Sequence, residues 1–145
     1  MSRMISEHLG WLIKRIQHGH HRALDRRLAP LGLSLVQWNA LREIERNPGR
    51  SQHHLAEQTF NSDQAFGALL NRLQAAGLIE RLPGPGRAAA QCLTPKAAHL
   101  LHKGQGIMSE VTERSFAPLT DQEQAELVRL LTKVLDRSDL EPTST

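Results

Sequence analysis

At 145 residues, 39% of them apolar, the chain has material for one domain with a genuine core and room for an appended subdomain. Aromatic residues make up only 3% and Tyr is absent, which argues against a base-stacking surface for single strands or RNA, and no run approaches the ~18 apolar residues that span a bilayer. Net charge is +3, but residues 1–103 carry 14 Lys and Arg against 7 Asp and Glu while 104–145 carry 4 against 8, so the basic part can face a polyanion and the acidic part can face away from it.

The N-terminus, MSRMISEHLGWLIKRIQHGH, has no clean apolar core or small-residue cleavage site, so no signal peptide is expected. Cys92 stands alone and cannot close an internal disulfide, which fits a reducing compartment and a cytoplasmic location. Over 5–30, Ile5, Leu9, Leu12, Ile13, Ile16, Leu24 and Leu28 recur at helical spacing until Pro30 and Gly32 end the run. So long a stripe needs other long helices, or a second chain, to cover it. Ser34 and Gln37 have the form of a capping box opening the second helix, which carries Leu35, Trp38, Leu41 and Ile44 and stops at NPG. A short third helix follows Ser51, and a fourth runs from about Ser62 to Ala76 with Phe66, Leu69, Leu70 and Leu73 on one stripe.

LIERL (78–82) and AAQCLT (89–94) read as two strands around PGPGRA. Thr94 and Pro95 then open a fifth helix whose middle Gly104 and Gly106 weaken, and which Pro118 ends. TDQE at 120–123 is a second capping box, and Leu127, Leu130, Leu131 and Val134 carry the last helix. The order is α-α-α-α-β-β-α-α: a mainly α fold with one small hairpin.

The stretch 52–73 holds the chemistry. Ala56 supplies the small residue that two steeply crossing helices need, Phe60, Phe66 and Leu69 are expected as apolar anchors, and the start of the next helix stays small and polar. Such a pair braces one helix and projects the N-terminal turn of the other, which suits the major groove of B-DNA. A hairpin beside it can carry Arg87 toward the flanking minor groove. The expected fold is a winged helix-turn-helix, with the DNA-binding domain at 34–95. Base reading falls on Asn61, Ser62, Asp63 and Gln64, with Gln64 the best candidate for an adenine edge. Phosphate contacts fall on Arg50, Ser51 and Arg72, and on His53 or His54.

Four stretches, LGLSLVQWNALREIERNPG, LAEQ, LLNRLQAAGLIER and LTPKA, resemble in order and spacing the MarR family of bacterial transcriptional regulators, and the resemblance runs from the first helix to Val134. It implies a homodimeric repressor or activator whose helical dimerisation region is made of residues 5–30 together with 96–137. It also implies double-stranded, pseudo-palindromic operator DNA as partner and a small-molecule effector. Departures are clear: the family's wing commonly carries Asp, Pro, Asp, Arg, Arg, whereas this loop is PGPGRAA; the Asp-Arg pair of the recognition helix is Asn71-Arg72; and LTPKG is LTPKA at Ala97. Residues 34–95 hold six Arg against five acids, so the reading domain is nearly neutral and affinity should depend on dimerisation.

Eight histidines invite a metal reading, but they scatter over several elements without matching Cys or carboxylates, so neither a metal site nor a cofactor is assigned. Trp11, His20 and Trp38 are candidate linings of an effector pocket, against core packing as the commoner fate of Trp. Cys92 does not match the N-terminal position of the reactive Cys in redox-sensing relatives and is read as an inert thiol. An enzyme is not expected, because no nucleophile elbow, phosphate-cradling loop or paired carboxylates occur. The alternative is a winged-helix module that binds a protein instead of DNA.

Overall fold

In the computed structural model, residues 2–83 and 89–136 are described. Helix α1 spans Ser2–Leu28 and passes into a single 3-10 turn, Ala29–Leu31, that Gly32 closes at φ +75°. Helices α2 (Leu35–Arg46), α3 (Gln52–Gln58) and α4 (Asp63–Ala75) follow, then strands β1 (Ile79–Pro83) and β2 (Ala89–Leu93). The strands pair antiparallel with Ile79 opposite Leu93 and Arg81 opposite Gln91. Helix α5 (Pro95–Phe116) and helix α6 (Asp121–Asp136) complete the chain.

Caps set these boundaries. The Ser34–Gln37 box closes as expected: Ser34 N donates to Gln37 Oε1 at 2.9 Å and Gln37 N to Ser34 Oγ at 3.1 Å. Asp25 of α1 adds a second anchor, its Oδ1 accepting from Leu35 N at 2.7 Å. Thr94 Oγ1 accepts from Ala97 N at 3.2 Å to start α5, and Thr120 and Glu123 cap α6 reciprocally at 3.1 and 3.0 Å.

The chain divides into two compact units at Val111. In the first, one core joins Leu24 and Leu28 of α1, the apolar face of α2 around Trp38, Leu55 and Ala56 of α3, and the buried face of α4. Leu78, Ile79, Ala97 and Leu101 finish it. Arg27 of α1 pairs with Glu110 of α5 at 2.5 Å. Within α1 the stripe splits: Leu24 and Leu28 are buried, while Ile5, Leu9, Leu12, Ile13 and Ile16 are all exposed.

Helix α5 runs unbroken through Gly104 and Gly106. A Cβ on Gly104 would lie 2.1 Å from Nε1 of Trp38, so the glycine is what lets the indole of α2 lie against α5. The indole N–H donates to Leu101 O at 3.2 Å, and the Arg42 guanidinium sits 5.1 Å from the ring centre on the same helix.

The second unit contains the end of α5 and all of α6. Gln124 bridges back across the intervening turn, its Nε2 donating to Phe116 O at 3.0 Å and Leu119 O at 3.3 Å. Phe116, Leu127, Val128 and Leu131 line a hollow of about 120 Å³. No residue of α6 is fully buried.

Candidate nucleic-acid interface

Helices α3 and α4 meet at a tight turn. Ala56 is wholly buried at the crossing, as two helices in close approach require. Phe66, Leu69, Leu70 and Leu73 seat α4 on the core, which leaves Ser62, Asp63, Gln64, Ala65 and Ala68 exposed. Ser62 caps α4 by accepting from Ala65 N at 3.1 Å, and Ser51 caps α3 by accepting from His54 N at 3.1 Å. Spare donors at such N-termini, together with their positive dipole ends, suit phosphate.

The far end of α4 is also tied down. Gly77, at φ +72°, ends the helix with its N–H donating to Gln74 O, and Leu78 N donates to Leu73 O. These are the two bonds of a Schellman motif. Thr94 Oγ1 donates to Gly77 O at 2.7 Å and Lys96 Nζ to Ala76 O at 3.5 Å, so the beginning of α5 holds the C-terminal end of α4. A lysine there also suits the negative end of the helix dipole.

Phe60 is not an apolar anchor. It is 91% exposed and holds φ +58°. The reason is the turn: Phe60 N donates to Glu57 O at 3.2 Å and Asn61 N to Ala56 O at 2.9 Å, a Schellman motif whose left-handed position falls on Phe60. At that position the ring stands in solvent. Asn61, assigned to base reading, spends its amide on the turn, with Nδ2 at 3.1 Å from Thr59 O and 2.9 Å from Thr59 Oγ1.

His53 and Asp63 come together across the turn. Nδ1 of His53 lies 2.8 and 2.9 Å from the two carboxylate oxygens of Asp63, and Nε2 lies 3.1 Å from Glu57 Oε1. The hydrogen bond and charge of Asp63, then the charge of Glu57, raise the His53 pKa above its ordinary 6.5. Glu57 was missed from sequence. Its i,i+4 spacing from His53 on α3 was the available signal, but the ten-residue gap to Asp63 gave none.

Of the remaining assigned residues, Arg50, Gln64 and Arg72 are exposed on this unit, and Arg87 lies outside the described residues. Of the candidate effector residues, Trp38 is in the core with its N–H spent, Trp11 is 56% exposed on α1, and His20 is partly buried. The neighbouring His21 meets Asp25 Oδ2 at 3.2 Å. Among the described residues no group of three or more His, Cys, Asp or Glu side chains is placed to hold a metal ion, and no helix is long and apolar enough to cross a membrane.

Comparison with known proteins agrees with this geometry. The family model described as MarR family matches residues 31–88. The HTH-type transcriptional repressor Rv2887 of Mycobacterium tuberculosis is 30% identical over 128 residues, covering 87% of this chain and 92% of that protein. The multiple antibiotic resistance protein MarR of Salmonella typhimurium is 31% identical over 134 residues, covering 88% and 90%. Among solved structures, a mutant of MarR from E. coli complexed with operator DNA superposes with a TM-score of 0.80 at 28% identity, covering 88% of this chain and 93% of that one. Rv2887 in complex with p-aminosalicylic acid superposes at 0.73 with 29% identity, covering 87% and 97%. With the braced α4, its exposed polar first turn and the two-stranded hairpin, these likenesses make the chain a member of the MarR family.

Proposed function

We propose that the protein is a homodimeric, sequence-specific DNA-binding transcriptional regulator, acting as a repressor on pseudo-palindromic operators and modulated by a small ligand. The observation that carries this is the first turn of α4: polar, exposed and fixed at both ends, in a fold whose E. coli relative is known with operator DNA bound. Residues 34–95 read the DNA. Residues 5–30 with 96–137 form the dimerisation region, supported by the exposed apolar residues of α1 and α6. Gln64 is the base-reading side chain, while Arg50, Ser51 and Arg72 hold phosphates; Arg87, outside the described residues, is assigned to the flanking minor groove. The protein works in the cytoplasm, without a cofactor and not as an enzyme. Small aromatic acids are the first effectors to try, because Rv2887 is known in complex with salicylic and p-aminosalicylic acids.

Selection of bound fragments from random duplex DNA tests this reading. Paired half-sites about 10 bp apart, one helical turn, are expected, as two reading heads related by a twofold axis require. Affinity for the selected duplex should fall linearly on a log-log salt plot, with a slope of about −0.9 for each phosphate neutralised. Failure to enrich any sequence, or binding indifferent to salt, would overturn the proposal.

A further inference from the structure

The arrangement around His53 is specific about protonation. Both ring nitrogens face carboxylate oxygens, Nδ1 toward Asp63 and Nε2 toward Glu57. A neutral imidazole has one N–H and one lone pair, so it can satisfy only one of those contacts and points its lone pair at the other carboxylate. Only the imidazolium satisfies both. Asp63 of α4 and Glu57 of α3 are the charged groups that act on the ring. His54 follows it in sequence and Arg50 lies three residues before it.

The cluster stands at the beginning of the reading helix, where phosphates approach. Protonated, the three side chains sum to one negative charge; with His53 neutral they sum to two. The Debye length is about 8 Å at physiological salt, so this difference is felt by phosphates docked on the same turn. A polyanion bound there favours the protonated state. By linkage, the protonated state in turn favours the polyanion.

We propose that His53 is a positioning residue for DNA recognition: as the imidazolium it fixes Asp63 at the first turn of α4 and cancels one of the two carboxylate charges there, so that DNA binding retains a proton at His53 and weakens as that proton is lost. The proposal rests on the DNA-binding reading above. Its sign follows from the charge of the phosphates, which favours the imidazolium: affinity is highest below the His53 pKa of the free protein, which the carboxylates hold above the ordinary 6.5, and falls as pH rises through it.

The test uses the full chain and the duplex returned by random-sequence selection, with affinity measured from pH 6 to 8.5 at constant ionic strength. Wild-type affinity is expected to fall about tenfold for each pKa unit by which DNA raises His53, per reading head. His53→Gln should flatten the profile at the weak, high-pH level. Asp63→Asn should move the fall to lower pH, because the ring loses the carboxylate that does most to raise its pKa while Glu57 still faces it.

NMR titration of the free protein supplies an arm that needs no DNA: the His53 imidazole should titrate above the ordinary 6.5, and return toward it in Asp63→Asn. A flat wild-type profile, an unchanged slope in His53→Gln, or a His53 that ignores Asp63→Asn overturns the proton linkage and leaves the DNA-binding reading standing. If no duplex is selected and none binds even at pH 6, the DNA-binding reading falls and the linkage falls with it.

Discussion

Phe60 occupies a position that usually belongs to glycine. The Schellman motifs after α1 and α4 place Gly32 and Gly77 in the left-handed region, whereas the one after α3 places Phe60 there. A side chain with a Cβ costs about 1–2 kcal/mol in that conformation, and the exposed ring recovers little by burial. Phe60→Gly is therefore expected to stabilise the chain by about 1 kcal/mol, seen as a higher midpoint in urea unfolding at unchanged m-value. The extra freedom that glycine brings to the unfolded chain trims the gain. Sequence inspection read this Phe as core because hydrophobicity is a property of the residue, whereas the sign of φ at a helix stop belongs to the turn. The same distinction separates Gln64, placed on the exposed turn as expected, from Asn61, whose amide the turn itself consumes.

Among the elements, the approach of α2 to α5 depends on Gly104. An added Cβ would fall 2.1 Å from Nε1 and 2.5 Å from Cδ1 of Trp38, too close for either atom, and relief would require moving an indole buried in the core. Gly104→Ala is expected to cost about 2 kcal/mol: overpacking of about 1–3 kcal/mol, plus about 1 kcal/mol for the strained hydrogen bond to Leu101 O, less the ~1 kcal/mol that Ala gains over Gly inside a helix. Thermal unfolding by circular dichroism, together with loss of the blue-shifted Trp emission, measures it. Local rules made the element boundaries legible. The Ser34–Gln37 and Thr120–Glu123 boxes, the Thr94 cap and the hairpin strands all follow from residues within a few positions of one another. What stayed hidden acts across long separations. Gly104 reads as a weak point until Trp38 is placed against it, and His53 reads as a phosphate contact until Asp63 is placed beside it.

For the whole molecule, the amphipathic stripe of α1 was legible, but its division was not. Its last third enters the core while Leu9, Leu12, Ile13 and Ile16 remain 40–54% exposed. Helix α6 likewise leaves Val128, Leu131 and Val134 in the open. Surfaces of this kind are covered by a second copy in the homodimer proposed here. Ile13→Glu and Leu131→Glu should each shift the protein from dimer to monomer in analytical ultracentrifugation while leaving the helical circular dichroism largely unchanged. Both should weaken operator binding on the order of 10²-fold, because the second reading head no longer benefits from the first. A variant that stays dimeric would place the contact elsewhere on the chain.

The two tryptophans stand in opposite surroundings, Trp38 with no exposed surface and Trp11 with more than half of its surface open. Evolution has in effect fitted the chain with two lamps, and a collisional quencher such as iodide can dim one without touching the other. The shielded indole reports whether the interior is intact. The open one reports on the solvent-facing side of the first helix, so the core and the surface can be followed separately in a single cuvette.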